Sequence, residues 1–122
     1  MSVKLPQIDP ARLEAEWEAD KEVLANLAAH GDKAHVRRAV DVSFRGDDEA
    51  FEQVLRIAGQ FGFVELDRET DEAGDLFLFL ECEQAVDEQS IRDLTRKCLQ
   101  IEALCGVEYD GWGCEAETGA VH

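Results

Sequence analysis

The sequence predicts an α+β sandwich: a four-stranded antiparallel sheet in βαββαβ order, two helices on one of its faces, and an additional helix at the N-terminus. Three observations predict it. Apolar residues occupy even positions from Val36 to Phe44, the period of a half-buried strand. Leu76–Leu80 is apolar on both faces, which marks a central strand. Three helical stripes, each closed by a glycine, alternate with the strand segments.

In chain order, residues 1–8 are expected to be flexible. Asp9-Pro10 then supplies an N-cap and a proline at the first position of a helix over 10–30. Leu13, Trp17, Leu24, Leu27 and Ala28 recur at helical spacing, and Gly31 closes the helix. Asp20 falls on that apolar line. A carboxylate should not be buried unpaired, so part of this helix is expected at an edge. Glu14, Glu16, Glu18 and Glu22 make its first half acidic.

In the strand that follows, Val36, Val40, Val42 and Phe44 face inward, while Arg37, Asp41, Ser43 and Arg45 face outward. Arg38 breaks the even side and reads as the strand's frayed start. Gly46 turns the chain, and Asp47-Asp48-Glu49 opens the second helix, where unpaired N–H groups and the dipole favour acids. Phe51, Val54, Leu55, Ala58 and Phe61 form its apolar face, and Gly62 ends it.

Phe63–Leu66 reads as a short strand, linked by 68–74 to a stronger one at 75–83. The acidic link is not a calcium loop. With Asp67, Glu69 and Asp71 at positions one, three and five, Glu72 stands where an EF-hand needs glycine, and Leu78 where it needs a carboxylate. The third helix, 87–105, carries Ile91, Leu94, Cys98, Ile101 and Cys105, and Gly106 stops it before the last strand at Val107–Cys114.

This order is that of a ferredoxin-like sandwich, a single domain over 9–116 with 117–122 as a short tail. Its first and third strands are central, in agreement with Leu76–Leu80. The second sheet face carries either Phe77 and Phe79 or the interleaved leucines, and the N-terminal helix is its expected cover.

Twenty-eight acidic against twelve basic residues give a formal net charge of −16. Such a chain is repelled by phosphate backbones and anionic membranes, and attracted to basic protein surfaces, including those with which other proteins grip nucleic acid. There is no apolar run of about 18 residues and no leader of export type, so a cytoplasmic protein is expected. Cys82, Cys98, Cys105 and Cys114 show no C-x-x-C spacing and do not cluster with His30, His35 or His122, so they read as reduced thiols with no metal. No nucleophile elbow, His-Glu-x-x-His, P-loop or glycine fingerprint is present, and neither catalysis nor a cofactor is expected. Phe77 and Phe79 lie on the strand that carries stacking aromatics in RNA-recognition sheets. Arg37, Arg38 and Arg45 are the only basic cluster near that sheet, so no direct nucleic-acid binding is expected.

The last strand contains the most specific stretch, Val107-Glu108-Tyr109-Asp110-Gly111-Trp112-Gly113-Cys114. Asp110-Gly111 is a turn or bulge signal, and two glycines let the backbone bend around one large amphipathic ring. Trp112 can be a core residue or a partly exposed anchor. Val-Glu-Tyr followed by Asp-Gly-Trp-Gly resembles the C-terminal signature of the regulator of ribonuclease activity B (RraB) family. The resemblance is close at 107–113 and looser over 13–113, where it takes in the acidic first helix, the Asp47-Asp48 helix start and the strand order.

The resemblance implies a ferredoxin-like bacterial protein without catalytic activity that binds ribonuclease E and inhibits or modulates its RNA cleavage. Two departures stand out: only Glu115 and Glu117 follow the motif where family members often carry a long acidic tail, and Cys114 replaces a hydroxyl residue. The expected partner is ribonuclease E or a related basic RNA-processing protein. The candidate contacts are Glu14, Glu16, Glu18 and Glu22 with Tyr109, Asp110, Gly111, Trp112 and Gly113. Two other classes stay open: an acidic immunity or antitoxin-like protein covering a basic nuclease site, and a small-ligand regulatory domain with a concave apolar pocket. Either a monomer or a dimer fits this composition.

Overall fold

The computed structural model describes residues 6–117. The expected flexibility of residues 1–5 and the tail at 118–122 lie outside the described residues. Ile8 packs against the core, and the Pro6 carbonyl accepts a bond from Gln100 Nε2 at 3.4 Å.

Helix α1 runs Pro10–Ala29, with the Asp9 carboxylate accepting from the Ala11 N–H at 3.0 Å. Strand β1 (Arg38–Gly46) leads to α2 (Asp48–Ala58), capped by Asp47, and to a single 3₁₀ turn at Gly59–Phe61. Strands β2 (Val64–Thr70) and β3 (Leu76–Gln84) form a hairpin, followed by α3 (Glu88–Cys105) and β4 (Glu108–Cys114). The sheet order is β2-β3-β1-β4, antiparallel throughout, with β1 and β3 central as the ferredoxin-like reading requires. Among the described residues, no helix is long and apolar enough to cross a membrane.

The core lies between the sheet and the helices. Val40, Val42 and Phe44 of β1 and Leu78 and Leu80 of β3 are fully buried there. They meet Phe51 and Val54 of α2 and Ile91, Leu94, Cys98, Leu99 and Ile101 of α3, so both sequence stripes are core.

Three expectations are corrected. Helix α1 does not cover the second sheet face; it packs along α3 within the helix layer. Trp17 joins the core, and Leu13, Leu24 and Leu27 pack against it. Asp20 reaches donors on α3 and β4 that are available only on that side. The second face is left open, with Phe77 and Phe79 half-buried, so Leu76–Leu80 is central without being covered on both sides.

Strand β2 is also longer than the apolar pattern suggested, because Glu69 and Thr70 pair with Phe77 and Leu76 despite their polarity. The linker shrinks to Asp71–Asp75, where the Asp71 carboxylate accepts from the Asp75 N–H at 2.8 Å and Gly74 takes φ +90°. Local turn bonding therefore uses the carboxylate that a calcium reading would have needed.

Finally, Arg38 is not a frayed start. It is buried and paired with Asp32.

Candidate partner-binding surface

The β4 motif is built around a bulge. Phe44 pairs with Tyr109 while Ser43 pairs with Gly111, which leaves Asp110 as the extra residue. Side chains alternate along a strand, so an unbulged β4 would send Tyr109 and Trp112 to opposite faces. The extra residue resets the alternation. Tyr109, Trp112 and Cys114 then sit opposite Phe44, Val42 and Val40 on the helix side, and Gly111 and Gly113 fall on the open face. Gly111 holds φ +112°, a conformation that side-chain-bearing residues avoid.

The reset brings the Trp112 indole to Asp20. Nε1–H donates to Asp20 Oδ1 at 3.0 Å, and the Thr95 hydroxyl of α3 donates to Oδ2 at 2.6 Å. One buried carboxylate thereby joins α1, α3 and β4. Burial raises the Asp20 carboxyl above its ordinary value of 3.8, against the two hydrogen bonds that lower it, and the nearby Glu16 charge adds to the rise. A raised carboxyl binds its proton more readily in the folded state. Its stabilising contribution is therefore full below 3.8 and is lost as pH rises through the raised value.

Asp20→Asn keeps an acceptor for Trp112 and can donate to the Thr95 oxygen, but has no charge to desolvate. The variant's stability relative to the parent should increase from about pH 4 to neutrality in denaturant titrations. A pH-independent difference would contradict this reading of Asp20.

Tyr109 is core, 4% exposed, with its ring 5.6 Å from that of Phe44. Its phenol oxygen has no hydrogen-bond partner among the described residues, and burial pushes its pKa far up. Its side chain is therefore unavailable to a partner, contrary to its place among the candidate contacts. Its backbone N–H donates to Glu102 Oε2 at 2.7 Å, and that same oxygen accepts from Arg12 Nη2 at 2.9 Å.

A second buried polar group stands at the other end of β1. Arg38 and Asp32 form an ion pair whose side chains are 4% and 3% exposed. Arg38 also donates to the carbonyls of Lys33 at 2.7 Å, Val36 at 3.1 Å and Glu115 at 3.2 Å. The Glu117 N–H donates to Asp32 at 2.6 Å, so the chain beyond β4 is strapped over the α1–β1 connection. Burial opposes ionisation of Asp32, but the Glu117 N–H and Arg38 outweigh it and hold the carboxyl below its ordinary value. Neither partner was singled out as a pair from sequence. Its one signal was Arg38 breaking an apolar face.

All four cysteines are free. Burial raises every one of these thiols, Cys98 most clearly, which keeps them protonated and poorly nucleophilic. Among the described residues no group of three or more His, Cys, Asp or Glu side chains could hold a metal.

The model of the family "Regulator of ribonuclease activity B" matches residues 17–114. The chain belongs to the RraB family. No curated protein matches it. The RraB match spans Asp20, Asp32, Arg38, Thr95 and the whole β4 motif, and ends before Glu115 and Glu117, which complete the Arg38–Asp32 link. RraB proteins are regulators of ribonuclease activity, and the partner implied for this chain is a ribonuclease.

On this RraB domain the acidic candidates of α1 do not share one face. Glu14, Glu18 and Glu22 are exposed at i, i+4 spacing and line one side. Glu16 turns away from them to pair with Arg12, beside Glu102. Lys21 neutralises part of the row by pairing with Glu18 at 2.8 Å. A groove of ≈ 260 Å³ between α1 and α3 is lined by Leu13, Glu14, Trp17, Asp20, Arg92 and Arg96 among others. It is smaller than the usual 300–1,000 Å³ of small-molecule sites and mixed in charge, and Arg92 lies 4.2 Å above the Trp17 ring. In β4, Asp110 is exposed and Gly111, Trp112 and Gly113 are half-buried, with Trp112 bonded to Asp20 of α1.

Proposed function

We propose that this chain is a cytoplasmic, non-catalytic bacterial protein that binds ribonuclease E and lowers its RNA cleavage by contact with the nuclease, not with the RNA. The observation that carries the reading is the RraB match over residues 17–114. The −16 charge supports it, because an acidic domain is drawn to a basic protein surface and repelled by RNA. The exposed Glu14, Glu18 and Glu22 row, Glu16 on another face of α1, and the Asp110–Gly113 segment are the proposed contacts.

Changing Glu14, Glu16, Glu18 and Glu22 together to Gln should leave the fold intact, because none of the four is buried. Association with ribonuclease E should slow by about tenfold, and the variant's on-rate should depend less on salt than the parent's. For the parent, association should slow markedly between low salt and about 0.3 M, where screening falls below roughly 8 Å. Salt-indifferent association in the parent, or equal rates for a folded variant, would remove α1 as a steering surface.

A further inference from the structure

The open sheet face combines two chemistries. Phe77 and Phe79 stand half-buried at its centre, across from Glu69 and Asp67 of β2. Beyond Phe79 on the same side, Glu81 pairs with Asp41. Arg45 lies opposite Phe77, but its charge is already engaged by Glu108 and Asp75. At Gly111 of β4 the face is bare backbone, where a Cβ would meet nothing within 4 Å. A trough of ≈ 690 Å³ follows, lined by Glu69, Thr70, Asp71, Phe77, Phe79 and Asp110.

We infer that this face docks an arginine-rich segment of the partner ribonuclease. A planar guanidinium can lie flat on a phenylalanine ring while its edge donates to a carboxylate, a combination that a lysine ammonium matches poorly. Phosphate-bearing partners are repelled by the acidic rim. A purely apolar segment would leave the rim carboxylates desolvated and unpaired. Half-buried rings beside carboxylates offer what single-stranded RNA offers an RNA-gripping segment, namely planar π faces and negative charge. The face would then compete with RNA for that segment. The inference rests on the proposal that the partner is a ribonuclease, although the chemistry of the face does not.

The test titrates the full chain into a short fluorescein-labelled peptide of alternating arginine and alanine, and into its lysine counterpart, with melting curves to verify folding. The arginine peptide should bind saturably and about fivefold or more tighter than the lysine peptide. Phe77→Ala with Phe79→Ala should weaken it by about tenfold and abolish the arginine preference. Should that pair unfold the domain, Glu69→Gln with Asp110→Asn decides, since both positions are exposed; it should weaken binding and flatten its salt dependence.

Equal binding of both peptides, unaffected by the phenylalanine changes, overturns the inference, as does a chain–chain dimer in sedimentation that the same changes dissolve. If the glutamine variant of α1 loses ribonuclease E while the phenylalanine variant keeps it, the proposed function stands and this face falls. If the parent ignores ribonuclease E but shows the arginine preference, the face stands and the assignment of ribonuclease E falls.

Discussion

Arg38→Ala should lower the stability of the domain by about 3–5 kcal/mol, the usual consequence of removing one member of a buried ion pair. The melting temperature should fall by roughly 10–20 °C. The loss has two parts. Asp32, 3% exposed at its side chain, keeps only the Glu117 N–H, and the Val36 and Glu115 carbonyls lose the guanidinium as donor while that of Lys33 keeps the Val36 N–H. The pH dependence identifies the cause. In the parent, Asp32 is held below its ordinary value of 3.8, so its contribution is present above 3.8 and is lost as pH falls through the depressed value. Without the guanidinium, burial dominates and the carboxyl prefers its proton. The deficit should therefore be largest near neutrality and shrink on acidification. Arg38→Lys should recover only part of it, because one ammonium cannot reach an aspartate and three carbonyls spread around a planar fork. A urea denaturation deficit under about 1 kcal/mol at pH 7 would remove the strap from the account.

Trp112→Ala should cost about 3–4 kcal/mol, within the range for truncating a large aromatic side chain and towards its lower half because the ring is only half-buried. The change also strips one of the two donors from Asp20. Trp112→Phe separates the effects: it keeps most of the ring and removes the N–H, and should cost about 1–3 kcal/mol. Combined with Asp20→Asn, Trp112→Phe should cost less than it does alone, because no buried charge is then left short of a donor. Additive effects in that cycle would mean that the indole and the carboxylate act independently. The ring is held by its N–H and is half-buried.

The elements were legible because their periods were clean. Even-numbered Val40, Val42 and Phe44, the Ile91–Ile101 stripe and the glycines after each helix carry local rules that tertiary packing did not override. The Asp110-Gly111 bulge was also legible as a backbone signal. Its consequence was not, because the facing of Trp112 depends on the register against β1.

The two residues that broke the apolar patterns, Asp20 and Arg38, were visible as exceptions and misread as edge or fraying. A single sequence shows that a polar residue lies on a buried line. Most of its partners are supplied by distant chain, Thr95 and Trp112 for Asp20 and Glu115 for Arg38, and even Asp32, six residues before Arg38, is brought to it only by the folded α1–β1 connection. The placement of α1 failed for the same reason. Its weak stripe fits either layer, and the buried carboxylate selects the one where donors exist.

The candidate surface was legible in charge and less so in geometry. Helical spacing alone separates Glu16 from the Glu14, Glu18 and Glu22 row. The burial of Tyr109 follows from its pairing with Phe44, which needed the sheet.

Regulation of a ribonuclease by protein contact is directly measurable. Its most direct test follows cleavage of a fluorogenic single-stranded RNA by ribonuclease E while this chain is titrated in at low salt, with RNA binding by the chain alone measured in parallel. Cleavage should fall saturably, the fall should weaken as salt is raised, and the chain should not associate with the RNA. Undiminished cleavage at saturating chain, or inhibition that tracks direct binding to the RNA, would contradict it.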